Sequence, residues 1–110
     1  SSDLIAPCQG GGCMTLQWSA CALGDREAIF DYLEAENPYA AVAVDERIRA
    51  HVEILRQFPE SGRLGRVKGT RELVIVGTPY VVAYTVPEGG RVRILRVLHA
   101  AQQWPDAIQQ

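Results

Sequence analysis

Three short runs rich in β-branched and aromatic residues follow one another in the second half of this chain, with turn residues between them. The runs cover residues 71–76, 80–86 and 92–98, and their separators are Gly77-Thr78-Pro79 and Pro87-Glu88-Gly89-Gly90. Each separator is too short to hold a crossover helix, so neighbouring runs are expected to pair as antiparallel strands. The sequence therefore predicts a three-stranded β-meander between residues 69 and 105.

Two helices are predicted before the meander. Apolar residues spaced for one helical face run over residues 20–37 and again over residues 39–57. Asn37-Pro38 separates the two patterns, because a residue that precedes proline is pushed out of the α region. With an edge strand at residues 15–18, the expected fold class is α+β: an N-terminal strand and an antiparallel helical hairpin packed on the antiparallel β-meander.

Strict alternation along the last run predicts which side chains share a face of the sheet. One face would carry Arg91, Arg93, Leu95, Val97 and His99, and the other would carry Val92, Ile94, Arg96 and Leu98. Arg93 and His99 are thus expected on one face, with Arg96 on the other.

Residues 1–13 contain a glycine run, precede Met14, and lack the basic start and apolar core of a secretory signal. We expect them to be a tag or disordered leader, with an ordered N-terminal arm as the alternative, and residues 14–110 to form a single domain. No apolar run approaches the roughly 18–20 residues that span a bilayer, so no membrane partner is expected.

Cysteine and histidine usage excludes several kinds of site. Cys8 and Cys13 fall in the leader, which leaves Cys21 without a disulfide partner inside the domain. A reduced, cytoplasmic protein is the resulting expectation. His51 and His99 are far apart, and no CxxC or HxxxH spacing occurs, so neither a metal nor another cofactor is predicted.

Charge is divided unevenly between the two halves. Residues 1–60 carry four basic and ten acidic residues, and residues 61–110 carry seven basic and three acidic residues, which gives −6 and +4. A basic half of this kind indicates a surface for an anionic partner, or simply a well solvated face.

The order of strand, helical hairpin, basic loop, meander, histidine and tryptophan resembles the RelE/ParE superfamily of bacterial toxins from type II toxin–antitoxin systems. The segments that carry the resemblance are DREAIFDYLEAENPYAA, GRVKGTRELVIVGTPYVVAYTV and VRILRVLHAAQQWP. The resemblance itself extends from Met14 to about Pro105, nearly the whole domain, and it implies the fold that the periodicities predict.

The superfamily contains two activities with different chemical needs. RelE-like members cut messenger RNA on the ribosome, which requires cations for the developing phosphate charge and a group that activates the ribose 2′-hydroxyl. ParE-like members inhibit DNA gyrase. Val81 stands where RelE-like members supply an arginine, and Ala100 and Ala101 follow His99 where further catalytic groups are expected.

This departure favours the ParE branch. The resemblance then implies the toxin of a plasmid stabilization (addiction) module, which inhibits DNA gyrase and is not an enzyme. The alternatives are a ribosome-dependent messenger RNA endonuclease that uses His99 and Arg93 for catalysis, or an inactive relative that only binds an antitoxin. A structural role for His99 is the simpler expectation.

The resemblance also implies an antitoxin as partner, with operator DNA contacted only through that antitoxin. The residues expected to bind the target or partner are the basic and aromatic side chains Arg63, Arg66, Lys68, Arg93, Arg96 and Trp104. The groove expected to receive an antitoxin helix is formed by Tyr32, Leu33, Val42 and Val44. Core packing competes for that apolar surface, and capping of the core competes for Trp104.

Overall fold

The computed structural model describes residues 15–65, 67–87 and 90–101. The elements in chain order are β1 Thr15–Trp18, α1 Ala20–Glu34, α2 Pro38–Ile54, β2 Arg63–Leu64, β3 Arg71–Val74, β4 Tyr80–Thr85 and β5 Arg91–His99. The predicted α+β fold, with its N-terminal strand, helical hairpin and meander, is confirmed.

Side-chain caps determine where both helices begin. The Ser19 hydroxyl accepts a hydrogen bond from the Ala22 N–H and donates one to the Leu95 carbonyl, so α1 starts at a residue tied to β5. The Asn37 carboxamide accepts hydrogen bonds from the Tyr39 and Ala40 N–H groups and caps α2. Because Asn37 caps the second helix, α1 stops three residues earlier than the sequence predicted.

The five strands form one sheet in the order β1-β5-β4-β3-β2. β1 runs parallel to β5 at one edge, and the other pairs are antiparallel. Gly77 turns the chain between β3 and β4 with a φ of +86°, a conformation open to glycine at little cost. The two-residue strand β2 lies in a segment that the sequence predicted to be a loop.

A register shift in β5 overturns the predicted faces of that strand. Arg96 pairs with Ala83, whereas Tyr84 pairs with Ile94, so β5 contains one extra residue at this point. Beyond the shift, Val97 packs in the same core cluster as Ile94, although strict alternation had placed the two on opposite faces.

The shift changes the positions of the charged residues as well. Cross-strand partners share a face, and Arg93 and Arg96 pair with Thr85 and Ala83. Arg93 therefore lies on the face away from the helices, whereas the Arg96 side chain, at the register shift, reaches the Asp25 carboxylate of α1. His99 pairs with Tyr80, which belongs to the helix-side core. The prediction that Arg93 shares a face with His99 was wrong.

The core lies between the sheet and the helical hairpin. Its fully buried side chains come from both layers: Ala22, Ile48, Val52, Leu55, Ile75, Val82, Tyr84, Val92 and Ile94. A smaller cluster of Val67, Ala83 and Leu95 lies on the opposite face of the sheet. In the described part of the chain, neither helix has the length and apolarity to cross a membrane.

Candidate functional site

The basic loop after α2 is anchored by one buried phenol. The Tyr84 hydroxyl donates to the Pro59 carbonyl at 2.8 Å and accepts from the Gly62 N–H at 2.9 Å. Arg71 adds a bond of 2.7 Å to the Gly62 carbonyl. Burial raises the pKa of Tyr84, because the ionised phenolate would lose its hydration. The phenol therefore stays neutral and holds the loop in place at physiological pH.

Two of the predicted binding arginines already have carboxylate partners. Nε of Arg96 lies 2.7 Å from Oδ2 of Asp25 on α1, and this hydrogen bond raises the pKa of the Arg96 guanidinium. Nη2 of Arg63 lies 3.1 Å from Oε1 of Glu72, whose side chain is buried on β3. Both guanidinium groups therefore neutralise carboxylates of the same domain.

The other predicted basic and aromatic residues are dispersed. Lys68 is exposed in the loop, and Arg93 is half-buried on the sheet face away from the helices. Arg66 and Trp104 lie outside the described residues.

His99 lies at the end of β5 on the helix side of the sheet. Its Nδ1 accepts a hydrogen bond of 3.0 Å from the Ala101 N–H, so the neutral ring carries its proton on Nε2. The ring meets Tyr80 edge-on, with centroids 5.5 Å apart and an interplanar angle of 85°. Burial raises the pKa of Tyr80, and the neighbouring Tyr32 raises it further. The His99 ring thus packs against the aromatic ring of Tyr80.

Val81 occupies the position that the resemblance assigns to a nuclease arginine. It is buried, with 2% of its surface exposed, on the same face as Arg93. Arg93 and His99, the two residues of the nuclease alternative, thus lie on opposite faces of the sheet.

The expected antitoxin groove divides into exposed and inward-facing residues. Tyr32 and Val42 are 67% and 47% exposed, whereas Leu33 and Val44 are partly buried against the main core. Tyr39, in the first turn of α2, is 87% exposed and was not identified from the sequence. The apolar surface at this end of the hairpin is therefore formed chiefly by Tyr32, Tyr39 and Val42.

A surface depression of mixed polarity, also missed, lies along α1. It is an open depression of about 730 Å³. Its lining consists of Ala20, Leu23, Gly24, Arg26, Glu27, Phe30, Asp31 and, from α2, Asp45. The signal that could have revealed it is the spacing of Leu23 and Phe30, which places two apolar side chains on one flank of α1, about a quarter turn from its core-facing residues.

A family model described as the ParE toxin of type II toxin–antitoxin systems, parDE, matches residues 16–104. A Sinorhizobium fredii protein named as a toxin, Y4kP, is 42% identical over 93 residues, which cover 84% of this chain and 95% of that protein. Toxin RelE2 of Caulobacter vibrioides is 41% identical over 85 residues, which cover 77% and 93%.

Two solved structures have the same fold. The chromosomal ParDE toxin–antitoxin system of P. aeruginosa contains a chain with a TM-score of 0.73 and 28% identity, and the match covers 80% of this chain and 97% of that one. The RelBE2 toxin–antitoxin complex of Mycobacterium tuberculosis contains a chain with a TM-score of 0.57 and 24% identity, covering 79% and 98%.

Proposed function

The chain belongs to the ParE toxin family of type II toxin–antitoxin systems, and from that membership we propose that its target is DNA gyrase. Membership makes it the toxin of such a system. The choice between gyrase and ribosome-bound messenger RNA depends on the chemistry that its side chains can perform.

The separation of Arg93 from His99 supports the gyrase proposal. Cleavage of RNA needs a base at the ribose 2′-hydroxyl and cations at the phosphate, brought together within hydrogen-bond reach. Arg93 pairs with Thr85 on one face, and His99 pairs with Tyr80 on the other. The buried Val81 adds no charge to either face.

The pairing of the remaining arginines supports the same proposal. A phosphate that bound Arg96 or Arg63 would compete with the carboxylate of Asp25 or Glu72. Glu72 is buried, so removing its counterion leaves a charge in a poorly hydrated place. These cations are better suited to shaping a protein-binding surface than to stabilising a transition state.

We further propose an antitoxin as partner and the cytoplasm as location. The two structural neighbours are described as toxin–antitoxin assemblies. Tyr32 and Val42 offer exposed apolar contacts on the hairpin, with Leu33 and Val44 at their edge. We assign contact with the target to Lys68, Arg93 and the basic loop around Arg63. Arg66 and Trp104, which the sequence predicted as contact residues, remain part of this proposal.

The test compares both candidate targets with one protein preparation. The purified chain, free of antitoxin, is added to gyrase with relaxed plasmid, and separately to ribosomes programmed with a defined message. We expect inhibition of supercoiling or accumulation of cleaved DNA complexes, with the message intact. Message cut at ribosomal A-site codons would contradict the gyrase proposal.

A ribosome-dependent endonuclease is the second candidate, because the Caulobacter relative carries the name RelE2. His99→Ala and Arg93→Ala distinguish the two candidates further. Under the nuclease alternative both substitutions abolish message cleavage. Under the gyrase proposal there is no message cleavage for them to remove. Failure of the chain in both assays would favour an inactive relative.

A further inference from the structure

Charge divides between the two layers of the fold. The two helices contain seven acidic and three basic residues, whereas the five strands contain one acidic and five basic residues. The acidic residue of the strands, Glu72, is bound by Arg63, and Arg96 reaches across to Asp25 on α1. In the described part of the chain, the sheet layer is therefore the positive side and the helical layer the negative side.

Two cations of β5 share the face of the sheet away from the helices. Arg91 and Arg93 are two residues apart on the strand, so their side chains leave the same face about 7 Å from each other. Val92, which lies between them, points into the main core on the helix side. The parallel neighbour β1 adds uncharged polar side chains, because Thr15 pairs with Arg91 and Gln17 pairs with Arg93.

A third cation joins this face from the loop before β3. Thr85 pairs with Arg93 across β4 and β5, and its hydroxyl donates a hydrogen bond of 3.1 Å to the Gly69 carbonyl. Val67 anchors the same loop, because it packs in the small cluster on this face of the sheet. Lys68 lies between these two anchored residues and is exposed. We call the resulting set the basic outer surface: Thr15, Gln17, Lys68, Arg91 and Arg93.

Composition indicates which class of partner the basic outer surface fits. Its members are exposed, apart from the half-buried Arg93. The apolar side chains of the adjacent cluster, Val67, Ala83 and Leu95, expose at most 9% of their surface. A protein interface has an apolar core with buried anchors, which this surface does not offer. Interfaces with nucleic acid are polar and positively charged, and Arg, Lys, Gln and Thr side chains contact their phosphates.

We propose that the basic outer surface binds the phosphate backbone of duplex DNA, in the segment that gyrase holds. The proposal rests on the proposed gyrase target for the source of that DNA, and it extends the target contact from protein to DNA. Lys68, Arg91 and Arg93 each contact a phosphate, and Thr15 and Gln17 donate hydrogen bonds to phosphate oxygens. Binding is independent of base sequence, because these contacts reach the backbone alone. The negative helical layer faces away from the duplex.

A binding assay without gyrase tests the surface directly. The full chain, free of antitoxin, is titrated into a short fluorescent duplex, and anisotropy is followed at salt concentrations from roughly 50 to 200 mM. Three phosphate contacts predict a slope of log K against log salt of about −2.7, so affinity falls about 40-fold over this range. Arg91→Ala and Lys68→Ala should each weaken binding and reduce the slope by about 0.9. Arg49→Ala, which removes an exposed cation from α2, should change neither.

Three results of this assay would overturn the proposal. The first is an affinity and a slope for Arg91→Ala and Lys68→Ala that equal those of the unmodified chain. The second is an equal loss of binding in Arg49→Ala, which would mean that any surface cation contributes. The third is tighter binding to single-stranded RNA or to poly-glutamate than to the duplex, which would assign the surface to another polyanion. Circular dichroism and melting curves show whether each variant is folded.

A second measurement tests the contact in the complex with gyrase. The double variant Lys68→Ala, Arg91→Ala is compared with Arg49→Ala in the supercoiling assay. The concentration of chain that gives half-maximal inhibition should rise at least about fivefold for the double variant alone. Unchanged inhibition by a double variant that no longer binds the duplex would overturn the DNA proposal and leave gyrase as the target. Duplex binding without any effect on gyrase would contradict the target proposal, while the DNA contact would stand.

Discussion

Asp25 and Arg96 join α1 to β5 through two hydrogen bonds, 2.7 Å from Nε to Oδ2 and 3.1 Å from Nη2 to Oδ1. The same Oδ2 accepts the Val97 N–H at 2.9 Å. One carboxylate thus accepts hydrogen bonds both from a guanidinium group and from a backbone N–H directly after the register shift. The contact explains how a helix is held against an irregular part of the sheet.

Asp25→Ala is expected to lower the free energy of unfolding by about 1–3 kcal/mol, because it leaves a partly buried guanidinium and a backbone N–H without their acceptor. Asp25→Asn retains an acceptor oxygen and should lose less. Urea unfolding followed by circular dichroism measures both. Equal stability of the alanine variant and the unmodified chain would show that the contact contributes nothing.

Tyr84→Phe should destabilise the chain by about 1–3 kcal/mol, since the Pro59 carbonyl and the Gly62 N–H both lose their partner. Tyr39→Phe is the matched control. Its phenol is 87% exposed, so a change within about 0.5 kcal/mol is expected. The comparison uses urea midpoints at neutral pH, and similar losses for both variants would contradict a special role for Tyr84.

Alkaline pH should destabilise the chain. The pKa values of Tyr84 and Tyr80 are raised, chiefly by burial, so the folded state retains protons that the unfolded state releases. Their contribution is complete below the unfolded pKa of about 10 and is lost as pH rises through the higher folded values. Tyr84→Phe should reduce this slope, whereas Tyr39→Phe should not. A stability profile of Tyr84→Phe that matches the unmodified chain above pH 10 would argue against this origin.

Alanine should have opposite effects at two glycines. Gly24→Ala is expected to stabilise the chain by about 0.5–1 kcal/mol, because its Cβ meets only open space. Gly62→Ala is expected to destabilise it by about 1–3 kcal/mol, because its Cβ would lie 2.6 Å from the Tyr84 hydroxyl and 2.7 Å from the Glu72 carbonyl. Thermal unfolding of the two variants checks the signs, and a shift in the same direction for both would be inconsistent with these environments.

Periodicity predicted most of the fold because each helix and each long strand carries its own repeat of apolar residues. A prediction based on strict alternation did not include the register shift in β5. The apolar doublets Ile94-Leu95 and Val97-Leu98 interrupt the alternation and could have indicated the shift. Strand β2 has two residues and is too short to leave a pattern. Elements with a local repeat are thus predictable, and irregularities that depend on a neighbouring strand are much less so.

The candidate surfaces were harder to predict than the fold. Asp25 and Arg96 are 71 positions apart, and nothing in their local sequence links them. The basic residues were identified as charged, but their carboxylate partners depend on register and on the docking of α1. Spacing alone likewise did not distinguish the inward Leu33 from the exposed Tyr32 next to it.

The Val97 N–H has a further consequence for the behaviour of the chain in a crowded solution. β1 ends at Trp18, opposite Ile94, so β5 extends past its parallel neighbour. A strand edge with unsatisfied amides invites pairing with other polypeptides and leads to aggregation. The Asp25 carboxylate accepts the hydrogen bond of the Val97 N–H, so this group is not available to another strand. The Ser19 hydroxyl and the Asp25 carboxylate thus occupy two backbone groups of β5 beyond the end of β1, which makes this part of the strand less available for pairing with another polypeptide.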